Sequence, residues 1–121
     1  MASALRALKE IPMKTRRSKA CDIPQRVKRD VFERDGGRCV LCGSGGSVQP
    51  SAHYISRAHG GLGIAENIVT LCTGFGKENC HYQYDNGTRE EREAMRGRIR
   101  AYLMSKYPHW DEEKLRYRKG G

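Results

Sequence analysis

The chain has 121 residues, 37% of them hydrophobic and 31% charged, with a formal net charge of +9. That length allows one compact domain with looser ends, and the shortage of apolar residues calls for an added staple, either disulfides or a bound metal. No apolar run is long enough to span a bilayer, and residues 1–19 lack the continuous apolar stretch of a secretory signal. The expected setting is therefore the reducing cytoplasm, where clustered cysteines bind metal more often than they pair.

The charge is spread unevenly. Residues 1–35 hold ten Lys/Arg against five Asp/Glu, residues 86–121 hold ten against six, and residues 36–85 hold three of each. Basic flanks around a neutral centre suit a site that meets a phosphate backbone from several sides. Solvated helix faces account for the same charges equally well.

In chain order, residues 1–22 read as a mobile basic arm, with a short helix over residues 4–10 and with Lys14, Arg16, Arg17 and Lys19 suited to phosphate contacts. Pro24 opens a helix over residues 25–35, with Val27, Val31 and Phe32 toward one side and Arg26, Lys28, Arg29 and Arg34 over the others; Gly36 and Gly37 end it. Two short strands are expected, one around the Cys39–Cys42 turn and one over residues 51–55. The glycine-rich stretches 43–47 and 60–63 are loops, and residues 66–71 lead into Cys72. Residues 80–85 begin a helix. Thr88 caps a longer one running to about Lys106, with Glu90, Glu91 and Glu93 in its first turns. On that helix Met95, Ile99, Tyr102 and Leu103 form an apolar stripe, while Arg89, Arg92 and Arg96 share another face. Pro108 stops it, and Asp111 caps a last turn over residues 112–117. The parts are an N-terminal arm (1–22), a core (23–87) and a helical basic C-terminal extension (88–121).

Cys39-x2-Cys42 is a tight turn through which two thiolates reach one ion, and Gly43 lets N–H groups approach the sulfurs. Cys72 and Cys80 supply the other two ligands of a closed zinc site. Seven residues separate them, and Gly74 and Gly76 allow that surplus to loop out. A plain buried thiol is the competing reading for Cys72 or Cys80; the cysteine count and the reducing setting favour zinc. Cys21 lies outside the pattern and reads as an incidental thiol. His53 is a candidate general base, since a histidine with a pKa near neutrality is the usual residue for activating water, although a lone histidine is more often structural. His81 and Asp85, spaced i, i+4, fall on one helix face and can share a divalent cation, a spacing also common in surface pairs.

In combination these residues resemble the HNH endonuclease family. The stretches that carry the likeness are residues 31–43 (VFERDGGRCVLCG), His53 followed by Gly60-Gly61, residues 66–72 (ENIVTLC), and Cys80-His81, together spanning residues 25–86. The resemblance implies a small α+β fold: a ββα-metal core stapled by a four-cysteine zinc site, with flanking N- and C-terminal helices. It also implies cleavage of phosphodiester bonds in DNA. By position, His53 would be the general base and Asn67 the residue that steadies the loop carrying it. His81 would be a ligand of a catalytic divalent ion (Mg²⁺, Mn²⁺, Ni²⁺ or Zn²⁺), with Asp85 a further ligand. Arg57 is a candidate phosphate contact, with a surface role equally open. The cysteine-bearing branch is frequent in phages and prophages, so the resemblance implies a host-cell cytoplasm and leaves a phage packaging complex open as a partner beside DNA. A monomer or weak dimer is expected. Ala52 departs from the family, which usually has a ligating Asp or His there. Either water completes the shell around His81 and Asp85, or Asn67 or His59 does, or the domain binds DNA without cutting it.

Overall fold

The structure, a computed structural model, describes residues 15–119 other than Phe75 and Lys77. The helix expected over residues 4–10 lies outside the described residues. The protein has a small mixed α/β architecture. Helices α1 (Arg16–Cys21) and α2 (Gln25–Arg34) precede strands β1 (Val48–His53) and β2 (Ile68–Cys72), and helices α3 (Cys80–Asn86) and α4 (Arg89–Lys106) follow.

The helix boundaries follow from capping chemistry. Thr15 Oγ1 accepts from Ser18 N at the start of α1, Asn79 Oδ1 from Tyr82 N at α3, and Thr88 Oγ1 from Glu91 N at α4. Asp111 Oδ1 caps a final 3-10 turn, Glu112–Leu115, in the same way. Val27 and Val31 are the buried face of α2, whereas Phe32 is 42% exposed and lies over Gly37. The stripe expected on α4 packs as drawn, with Ile99 and Leu103 fully buried and Met95 and Tyr102 at their edge.

The strands differ from expectation in two respects. No strand forms at the cysteine turn; that segment touches the sheet through Val40 N donating to Thr70 O at 3.0 Å. The first strand instead begins at Val48 and pairs antiparallel with β2, and its register steps by one residue between Gln49 and Ala52. Pro50 lies in that step and has no N–H to give to the ladder, so an irregularity there is the expected solution. Beyond the step Ala52 enters the core while the side chain after it, His53, is only partly buried.

A buried polar hub joins α2, β2 and α4. Arg34 Nε pairs with Asp35 Oδ1 at 2.7 Å, and its other nitrogens donate to the carbonyls of Ala65 and Ile68 and to the Tyr107 hydroxyl. Asp35 also accepts from Thr70 N and the Tyr102 hydroxyl. Burial alone would lower the proton affinity of Arg34, but Asp35 and Tyr107 more than offset it and hold the guanidinium charged. The C-terminal segment joins the same body: Leu115 is buried, Leu62 N donates to Leu115 O, and Tyr117 N to Gly60 O. Among the described residues no helix is long and apolar enough to cross a membrane.

Candidate metal centre and histidine cleft

Three places in the fold deliver the four cysteines. The turn after α2 brings Cys39 and Cys42, the end of β2 brings Cys72, and the first residue of α3 is Cys80. Their Sγ atoms all lie within 4.8 Å of one another. Thiolates about 2.3 Å from a tetrahedral zinc sit roughly 3.8 Å apart, and Cys42 Sγ is 3.7 Å from Cys72 Sγ. The cluster can therefore hold a metal such as zinc. Burial raises the Cys39 thiol, but hydrogen bonds from the backbone at Cys42, Cys72 and Leu41 bring it down to about 7. Burial and the neighbouring sulfurs push Cys80 up, and burial does the same to Cys72. Four sulfurs this close repel one another as anions, which a bound cation relieves.

Asn79 closes the loop between the second pair. Its Nδ2 donates to the carbonyls of Gly74 and Gly76 at 3.3 and 3.2 Å while its Oδ1 caps α3. The Cys80 N–H points at Cys72 Sγ, 3.2 Å away. An asparagine directly before a helix start is a strong cap signal, and it was available in the sequence.

An open cleft of about 770 Å³ is walled by His53, His59, His81, Asp85 and residues of α4 and the C-terminal segment. His53 Nε2 is 2.9 Å from the carbonyl oxygen of Cys21. A carbonyl only accepts, so Nε2 carries the proton and Nδ1 is the ring's acceptor when neutral. Burial holds this imidazole below its ordinary 6.5, with Arg57 acting in the same direction and the Cys21 carbonyl, Asp85 and Asp22 opposing. His81 Nδ1 lies 3.5 Å from Asp85 Oδ2, a pair on one face of α3 as its spacing anticipates. His59 Nδ1 is held by Ser56 Oγ at 2.8 Å. Among the described residues the four cysteines are the one close cluster of three or more ligating atoms, so His81 and Asp85 stand as a pair.

Asn67 sits behind the cleft rather than on its wall. Fully buried, it accepts from Ile55 N through Oδ1 and donates through Nδ2 to the carbonyls of Ile55 and Leu62. These bonds clasp the loop that leaves His53. Gly61 is needed for the clasp, because a Cβ there would stand 1.6 Å from Ile55 O. Asn67→Ala leaves Ile55 N–H and C=O buried and unpaired and strips the half-buried Leu62 C=O of its donor, so a loss of about 3 kcal/mol and a Tm lower by more than about 10 °C are expected in thermal denaturation. A Tm within a degree or two of wild type contradicts this role.

The cleft wall carries Arg57, Arg89, Arg92, Arg96 and Arg116 against Asp85 and Glu93. Arg57 is engaged with Asp22 at 3.0 Å and with Ser18, Arg89 with Glu93, and Arg96 with Glu112 and the Tyr54 ring. The guanidinium groups of Arg92 and Arg116 make no ion pair or hydrogen bond among the described residues. Arg116 has no local sequence signal; it reaches the cleft because its segment bridges to Gly61.

Comparison with known proteins adds no relative: no protein-family model, curated protein or solved structure matches the chain.

Proposed function

We propose that the chain is a metal-dependent endonuclease of HNH type that hydrolyses phosphodiester bonds in DNA, with its four cysteines holding a structural zinc. The observation that carries this reading is the state of His53. Its Nε2–H is committed to the Cys21 carbonyl and burial favours the neutral ring, which leaves Nδ1 as a base in a cleft that also holds His81, Asp85 and five arginines. The order β1, β2, α3, with His53 ending β1 and His81 second in α3, fits the ββα-metal arrangement.

In this mechanism His53 takes a proton from the water that attacks phosphorus; the P–O bond to one sugar oxygen breaks, and that oxygen leaves with a proton taken from solvent water. His81 and Asp85 would hold a divalent ion, leaving positions for water and a phosphate oxygen, and the ion would supply Lewis-acid stabilisation of the charge that develops. Asn67 keeps the base-bearing loop in place. Arg92 and Arg116, free of acidic partners, are better phosphate contacts than Arg57. None of these contacts reads a base, so cleavage should show little sequence preference in isolation.

A non-catalytic DNA-binding module is the second reading, favoured by Ala52, whose methyl is in the core and offers an ion nothing. Conversion of supercoiled plasmid across Mg²⁺, Mn²⁺, Ni²⁺ and Zn²⁺ separates the two. Nicked or linear product is expected with at least one ion. The base must be neutral and burial lowers its pKa, so the rate should rise through a pKa below 6.5 and be level by neutral pH. No conversion with any of the four ions leaves the binding module.

A further inference from the structure

The sequence reads as a mobile basic arm as far as residue 22, yet the segment before α2 is fastened to the histidine cleft from Arg17 onward. Arg17 donates to Ala58 O at 2.9 Å, Gly63 N donates to Ala20 O at 2.9 Å, and Cys21 is 2% exposed. Asp22 pairs with Arg57, and Arg57 also reaches Ser18 O at 3.3 Å. At the centre of these contacts the Cys21 carbonyl meets His53. Gly63 makes the approach possible, since a Cβ on it would stand 1.9 Å from Asp22 O, a main-chain atom that cannot swing aside.

We propose that α1 is a positioning element for His53: through the Cys21 carbonyl it fixes the Nε2–H tautomer, and Arg17, Asp22 and Gly63 clamp it in place to do so. Its catalytic consequence rests on the reading of His53 as the general base. An imidazole whose partner is removed can carry its proton on either nitrogen, and the Nδ1–H form cannot take a proton from water at Nδ1. Charged groups around the ring come from three elements, Arg57 in the following loop, Asp22 after α1 and Asp85 in α3. The carbonyl of Cys21 is the one of these partners at hydrogen-bond distance from Nε2. The contact spans 32 positions of sequence, so it is tertiary and can be broken without altering β1.

The test is the ¹⁵N spectrum of the His53 imidazole in the full-length protein, recorded above its pKa. Wild type should give a protonated Nε2 and an unprotonated Nδ1. In Gly63→Ala, whose methyl must drive the end of α1 away, the two nitrogens should move toward averaged shifts. The double variant Arg17→Ala/Asp22→Asn removes two polar ties at the protein surface, and it serves if Gly63→Ala does not fold. In a cleavage assay either should lose about tenfold to a hundredfold in kcat at nearly constant KM, the scale of a small misplacement of a reacting group. A wild-type Nδ1–H tautomer, or variants that keep the wild-type tautomer, would overturn the proposal. The spectrum needs no activity: a protein that cuts nothing but shows the expected tautomer shift retains this role for α1 and loses the nuclease assignment.

Discussion

His53→Ala is expected to lower plasmid cleavage by ~10²–10⁴-fold, the usual contribution of a positioned general base. The loss should fall on kcat. On the proposed reading, affinity for DNA would come from cations around the cleft, among them Arg92 and Arg116, and none depends on the imidazole. The fold should tolerate the change, because His53 is only partly buried and its side chain makes one hydrogen bond among the described residues, worth about 1 kcal/mol net. Circular dichroism and zinc content should match wild type. His81→Ala offers the contrast that distinguishes a base from a ligand. If His81 and Asp85 hold the ion as proposed, removing one of them would weaken cation binding, so its loss should be partly recovered by raising the divalent ion, whereas no ion concentration replaces a missing base. Equal cleavage by wild type and His53→Ala would remove His53 from the chemistry.

What could be read from the sequence was whatever local rules carry. Thr88 and Asp111 cap the elements that their neighbours imply, and Ile99 and Leu103 recur at helical spacing and are buried together. Cysteine spacing placed the sulfurs on one centre because a Cys-x2-Cys turn admits few geometries. Contacts across long separations were not legible. Arg34 reads as one of the charges on the outer sides of its helix and Asp35 only as the helix end, yet they form the hub, with Tyr102 and Tyr107 from far along the chain. The Val48 start of β1 was hidden by Pro50, which argues against a regular strand, and only a shift in register accommodates it. The fastening of α1 was invisible for the same reason: Arg17 and Cys21 have no pattern of their own, and their partners are 32 to 41 residues away. The family roles assigned to His53, Asn67, His81 and Asp85 come from resemblance. Arg57 is a candidate only by its nearness to His53 in sequence, and its guanidinium is committed to Asp22.

Removing the zinc should have the largest effect on the protein as a whole. Structural zinc binding to small domains is worth ~10–16 kcal/mol, comparable with or above the whole stability of a typical domain. The unfastening should begin at α3. That helix has seven residues, none of them buried, and a helix so short does not persist in water unaided. Cys80 is its first residue, so a metal held by the four cysteines would tie α3 to the end of β2, and His81 follows directly. Cys39 shares the core cluster with Ile99 and Leu103 of α4, but the hub around Asp35 contains no cysteine, and it should hold β2 and α2 together after α3 is released. Chelation, or Cys72→Ser, is therefore expected to lower Tm by more than about 10 °C, reduce helical circular dichroism, and abolish cleavage even when Mg²⁺ or Mn²⁺ is restored. Cys21→Ser is the control, because its sulfur is outside the cluster, and it should keep one tightly held zinc per chain. Less than one zinc per chain in the wild type, or an unchanged Tm after chelation, would mean that the core alone holds α3. His81 would then be placed by the Asn79 cap and the loop bonds it makes to Gly74 and Gly76.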